Sequence, residues 1–89
     1  MRDIALHRRA AKYLRRMPKQ RQMEMRDVLR EVSGLDDIGT HPGIRPMSGD
    51  MRGWFRLRVG VYRAILKLSV IEADEVLFVD YIGPRGDAY

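Results

Sequence analysis

The sequence predicts an α+β fold in which two N-terminal helices form a helical hairpin packed on a small three- to four-stranded antiparallel sheet. Three observations lead there. Apolar residues recur at helical spacing over the first third of the chain, with stops at Pro18 and Ser33-Gly34. Period-two alternation runs on both sides of Gly60, from Trp54 to Leu68. A continuous β-prone run follows, Val76-Leu77-Phe78-Val79-Asp80-Tyr81-Ile82. Helices first and strands after is the α+β order.

Taken in order, Arg2 to Leu6 reads as a short first strand. From about Arg8 to Met17, the positions Leu6, Ala10, Tyr13, Leu14 and Met17 lie on one helical stripe. A second helix from about Lys19 to Val32 carries Met25, Val28, Leu29 and Val32, and Gly34 ends it. His41-Pro42-Gly43 is a loop, and Ile44 to Met47 reads as extended. Ser48-Gly49-Asp50 turns the chain into a hairpin whose turn is Gly60-Val61, with glycine at the first central position.

That turn places Arg58 opposite Arg63. Trp54, Arg56, Arg58, Arg63, Ile65 and Lys67 then share one face. Phe55, Leu57, Val59, Tyr62, Ala64, Leu66 and Leu68 share the other, which must be the core. Glu72 to Glu75 reads as an acidic turn. Pairing Ile71 with Val76 sets Lys67 opposite Asp80 and Arg63 beside Pro84, so that Arg85 emerges next to Arg58 and Arg63. Tyr62 and Tyr81 are read as core.

Length and composition narrow the function. Eighty-nine residues suit a single domain, 1–89, and the 45% hydrophobic content suits a globular one. No run of roughly 18 apolar residues could span a membrane, and the N-terminus has no secretory h-region. The absence of cysteine excludes disulfides, thiolate catalysis and Cys-based zinc sites, and fits the cytosol. His7 and His41 are too few and too scattered for a metal site. Net charge is +5, and fourteen of the seventeen basic residues are arginine. Arginine's planar fork matches phosphate, so the expected partner is acidic or a nucleic acid.

Like charges directly opposite each other destabilise a hairpin. A sheet that keeps Arg58 beside Arg63 therefore points to a bound anion, since only Asp80 is expected to share that face. Trp54 either stacks on an unstacked base or covers the sheet edge. The basic first helix, with Arg8, Arg9, Lys12, Arg15 and Arg16, is either a solvated face or a further RNA contact.

The motif Arg56-Leu57-Arg58-Val59-Gly60-Val61-Tyr62-Arg63, the hydrophobic strand after it and the terminal Ile82-Gly83-Pro84-Arg85-Gly86-Asp87-Ala88-Tyr89 resemble the RelE/ParE superfamily of bacterial toxin–antitoxin toxins. Met47-Ser48-Gly49 and the helix end Leu14-Arg15-Arg16-Met17-Pro18 fit its layout, so the resemblance spans essentially the whole chain. It implies one of two activities. RelE-like members cleave mRNA in the ribosomal A site, without metal, by attack of a ribose 2′-hydroxyl on the adjacent phosphate. ParE-like members poison DNA gyrase and are not nucleases.

The RelE-like branch is favoured. It implies catalytic roles for Arg56, Arg63, Arg85 and Tyr89 and RNA binding by Arg56 and Arg58; the reading of the cationic face adds Trp54 and Lys67 as RNA-binding residues. It implies no cofactor, a cytoplasmic setting, and as partners a cognate acidic antitoxin, the ribosome and mRNA. The alternative partner is DNA gyrase, and a third reading is a degenerate member that only binds its antitoxin. The chain departs from the RelE pattern at Trp54, where a lysine occurs, and at Pro84, where a basic residue or histidine is common. The general acid is left unassigned.

Overall fold

The computed structural model describes residues 1–85. Strand β1 (Asp3–Leu6) leads into helix α1 (Arg8–Arg16) and helix α2 (Lys19–Ser33). Strands β2 (Ile44–Pro46), β3 (Phe55–Val59), β4 (Tyr62–Ile71) and β5 (Asp74–Pro84) follow. They form one five-stranded sheet in the order β1-β5-β4-β3-β2. The α+β expectation holds, but the sheet has five strands and is mixed, because β1 runs parallel to β5.

Local chemistry explains the helices. The His7 side chain caps α1, its Nδ1 accepting from the Arg9 backbone N–H at 3.1 Å. Pro18 separates α1 from α2 by occupying the N-cap of the second helix. Ala10 and Leu14 of α1 and Met25, Leu29 and Val32 of α2 are buried against Leu57, Ala64, Leu66, Leu77, Val79 and Ile82 of the sheet. One sheet face is thus covered by both helices. The other face is open.

The β3–β4 hairpin has the predicted turn. Val59 pairs with Tyr62, Arg58 with Arg63 and Arg56 with Ile65. Gly60, at φ +59°, supplies the left-handed first turn position. Leu57, Ala64 and Leu66 lie in the core, with Phe55, Val59, Tyr62 and Leu68 packed against it.

The β4–β5 pairing differs from the expected register. The turn is only Glu72-Ala73, both at positive φ (51° and 71°), so Ile71 pairs with Asp74 rather than Val76. Lys67 therefore faces Phe78, not Asp80. A bulge between Ile65 and Leu66 then shifts the ladder by one: Leu66 pairs with Val79, Ile65 with Tyr81, and Arg63 with Gly83 rather than Pro84. Asp80 is the extra residue. It pairs with Arg9 of α1 instead, Nη2 to Oδ2 at 2.5 Å.

The core assignment has a direct consequence for stability. Leu66 is fully buried, so Leu66→Ala should lower the unfolding free energy by about 2–5 kcal/mol, read as a fall in the urea midpoint. Val61, 63% exposed at the hairpin turn, should tolerate Val61→Ala within about 0.5 kcal/mol. A Leu66→Ala loss no larger than the Val61→Ala change would contradict the packing.

Candidate anion-binding site

The open face collects arginines by register. Arg45 of β2 stands opposite Arg56 of β3, and Arg58 stands opposite Arg63 of β4. Alternation keeps Arg56, Arg58 and Arg63 off the core side, where their neighbours Leu57 and Ala64 are fully buried. Between them is a cavity of about 180 Å³, lined by Pro42, Gly43, Arg45, Arg56, Arg58 and Arg63. Among the described residues no carboxylate lines it.

The wall of that cavity is anchored to the helical layer. The Arg58 N–H donates to the Gly43 carbonyl at 3.0 Å. The Gly43 N–H donates to Nδ1 of His41 at 3.0 Å, while His41 Nε2 lies 2.6 Å from Oε1 of Glu31 on α2. With Nδ1 accepting, Nε2 carries the proton and donates to Glu31. Arg45 is steadied by donating from Nη1 to the carbonyls of Pro42 (3.3 Å) and Ile44 (3.0 Å).

Four of the ten arginines elsewhere have acidic partners among the described residues. Arg2 pairs with Glu75 at 2.6 Å, Arg9 with Asp80 at 2.5 Å and Arg30 with Asp27 at 3.0 Å. Arg21 pairs with Glu24, whose hydrogen bond and charge raise the guanidinium pKa above its ordinary value. Among the described residues, Arg45, Arg56, Arg58 and Arg63 have no ion-pair partner. Arg63 goes further: its Nε is buried and has no hydrogen-bond partner. A buried donor left unsatisfied costs about 1–3 kcal/mol. A phosphate oxygen entering the cavity would remove that cost and offset the crowding of four like charges.

The other sequence-predicted residues fall around this cavity. Trp54 and Lys67 lie together one row away, with Nζ of Lys67 4.5 Å from the centre of the Trp54 ring. Phe78 completes that cluster at 6.2 Å from Trp54, tilted by 59°. Arg85 is exposed; its N–H donates to the Val61 carbonyl at 2.8 Å, which places it by the hairpin turn and outside the cavity lining. Tyr89 lies outside the described residues.

Sequence reasoning missed Arg45 and misplaced Tyr81. The signal for Arg45 was the alternation Ile44 in, Arg45 out, on a segment read as extended but left unpaired. Tyr81 reaches the open face only because of the bulge, which no local pattern announces. Among the described residues no cluster of His, Asp and Glu could hold a metal ion, and no helix is long and apolar enough to cross a membrane.

No family model matches the sequence, and neither does any curated protein. Solved structures do. A YoeB/ParE toxin from Agrobacterium tumefaciens is 16% identical with a TM-score of 0.73, covering 93% of this chain and 98% of that one. The toxin–antitoxin complex RelBE2 from Mycobacterium tuberculosis matches at 15% identity and TM-score 0.66, covering 94% and 98%. An archaeal RelE–RelB complex from Pyrococcus horikoshii matches at 28% identity and TM-score 0.58, covering 98% of both chains. The fold is therefore that of small α+β toxins of the RelE kind. Over nearly its full length this chain is similar to toxins of the RelE/ParE superfamily.

The facing charges give a stability test independent of function. Arg58→Thr should raise the thermal midpoint at low salt, a gain of roughly 0.5 kcal/mol from removing one of two opposed charges. The gain should shrink as salt approaches about 0.5 M. A loss of stability, or a gain indifferent to salt, would show that Arg58 and Arg63 do not repel.

Proposed function

We propose that this protein is the toxin of a toxin–antitoxin module and acts in the cytoplasm as a ribosome-dependent mRNA endonuclease, neutralised by a cognate acidic antitoxin. One observation carries the reading: a cavity lined by four arginines that have no acidic partner among the described residues, one of them with a buried, unpartnered donor. Two of the similar structures are complexes of a toxin with its antitoxin, which supports a protein partner for this chain.

The chemistry fits arginine's strengths. The ribose 2′-oxygen attacks the adjacent phosphorus, the P–O5′ bond breaks, and a 2′,3′-cyclic phosphate and a 5′-hydroxyl result. Two charges build on the phosphoryl oxygens on the way. Arg56 and Arg63 stabilise them, with Arg45 and Arg58 holding the strand by its phosphates. Guanidinium groups neither accept nor readily release protons near neutral pH. Proton transfer from the 2′-hydroxyl, and to the leaving 5′-oxygen, therefore falls to other groups or to water; for the first the family pattern offers Tyr89, and it adds Arg85 as a further cation. Trp54 and Lys67 extend the contact along the RNA.

A purified translation system tests this. Wild-type protein should cut ribosome-bound mRNA, leaving 2′,3′-cyclic phosphate ends. Arg56→Ala and Arg63→Ala should each lower the rate by about a hundredfold or more, the scale of losing one charge-stabilising group. Uncut mRNA in the presence of wild type, with gyrase-dependent DNA breaks instead, would replace this reading with that of a gyrase poison.

A further inference from the structure

Tyr81 stands on the open face, where it pairs with Ile65; Arg56 flanks Ile65 from the other side. Ile65 is fully buried although it is not on the core face, so side chains of the open face cover it. The Tyr81 ring lies back along its own strand, across Gly83. A Cβ at Gly83 would come within 2.6 Å of Tyr81 Cζ and 2.9 Å of Cε2, with the hydroxyl nearer still. Only glycine leaves room for this ring.

The position of Gly83 gives the arrangement its meaning. Gly83 is the ladder partner of Arg63, so the phenolic oxygen is carried into the row of that arginine. Directly opposed residues in such a ladder have Cα atoms about 4.5–5.5 Å apart. The hydroxyl therefore comes to the strand neighbour of the side chain whose buried Nε lacks a partner. On its other flank Tyr81 lines a groove of about 190 Å³ with Arg9, Lys12, Tyr13, Arg16 and Ile82. Tyr81 thus has the row of Arg63 on one side and a basic groove on the other.

We propose that Tyr81 is a substrate-contacting residue of the anion site, its hydroxyl donating a hydrogen bond to the RNA phosphate held by Arg63. The assignment rests on the nucleic-acid reading of the cavity. It gives the site a neutral donor beside its cations, one that adds affinity and orientation without adding charge. Gly83 acts in support, by letting the ring lie flat enough to present that oxygen.

Tyr81→Phe separates this role from packing, because it keeps the ring over Gly83 and removes only the hydroxyl. The probe is a labelled single-stranded RNA with 2′-O-methyl riboses, which binds but lacks the attacking hydroxyl. Relative to wild type, Tyr81→Phe should bind it roughly tenfold more weakly, the loss of one hydrogen bond to a charged group. The slope of affinity against salt should stay unchanged, because no charge is lost. Arg63→Ala should instead reduce that slope by about one unit, as expected for a lost phosphate contact. Wild-type affinity in Tyr81→Phe, alongside weakened Arg63→Ala, would overturn the assignment while leaving the anion site standing. No binding by wild type would overturn both.

Discussion

Two pairs of arginines facing each other across adjacent strands, Arg45 with Arg56 and Arg58 with Arg63, set the terms for the rest of this molecule. Opposed like charges weaken a ladder, so the strands that carry them must be held from elsewhere. The hold comes from the reverse face, where Leu57, Ala64 and Leu66 are fully buried under the helices. It comes also from the His41–Glu31 link, which ties the cavity wall to α2. The helical layer therefore does more than close a core. It offsets the cost of holding four cations together on adjacent strands.

The bulge at Ile65/Leu66 completes that arrangement. With uniform alternation along β5, Asp80 would share the open face with the arginines and Tyr81 would point inward. The extra residue reverses both outcomes. Asp80 is taken by Arg9 on α1, and Tyr81 comes to lie over Gly83 beside Arg63. One inserted residue thus removes a carboxylate that would compete with a bound phosphate and turns Tyr81 to the open face.

Much of this was legible in the sequence because it is local. Helix spacing, Pro18 as a breaker and the Gly60-Val61 turn each depend on neighbours in the chain, and the two faces of the hairpin follow from period two. The pairing of β1 with β5 and of β2 with β3 depends on residues far apart, and nothing in Asp3–Leu6 or Ile44–Pro46 specifies the partner strand. The acidic segment misled because a two-residue turn at Glu72-Ala73, with both residues at positive φ, was not expected without glycine. That error moved Lys67 onto Asp80. The bulge then decided the side taken by Asp80 and Tyr81, and so hid part of the site from sequence reasoning.

The central claim is that the cavity among Arg45, Arg56, Arg58 and Arg63 holds a phosphate. The most direct measurement follows the side-chain Nε–H signals of the arginines by NMR while inorganic phosphate is added to the full-length protein. A saturable shift led by Arg63 Nε, with Arg56 moving in parallel and the signals of Arg2 and Arg30 unaffected, is the predicted result. Small, unsaturated shifts spread evenly over all arginines would mean that the cavity is only a crowded cationic surface, and would contradict the account.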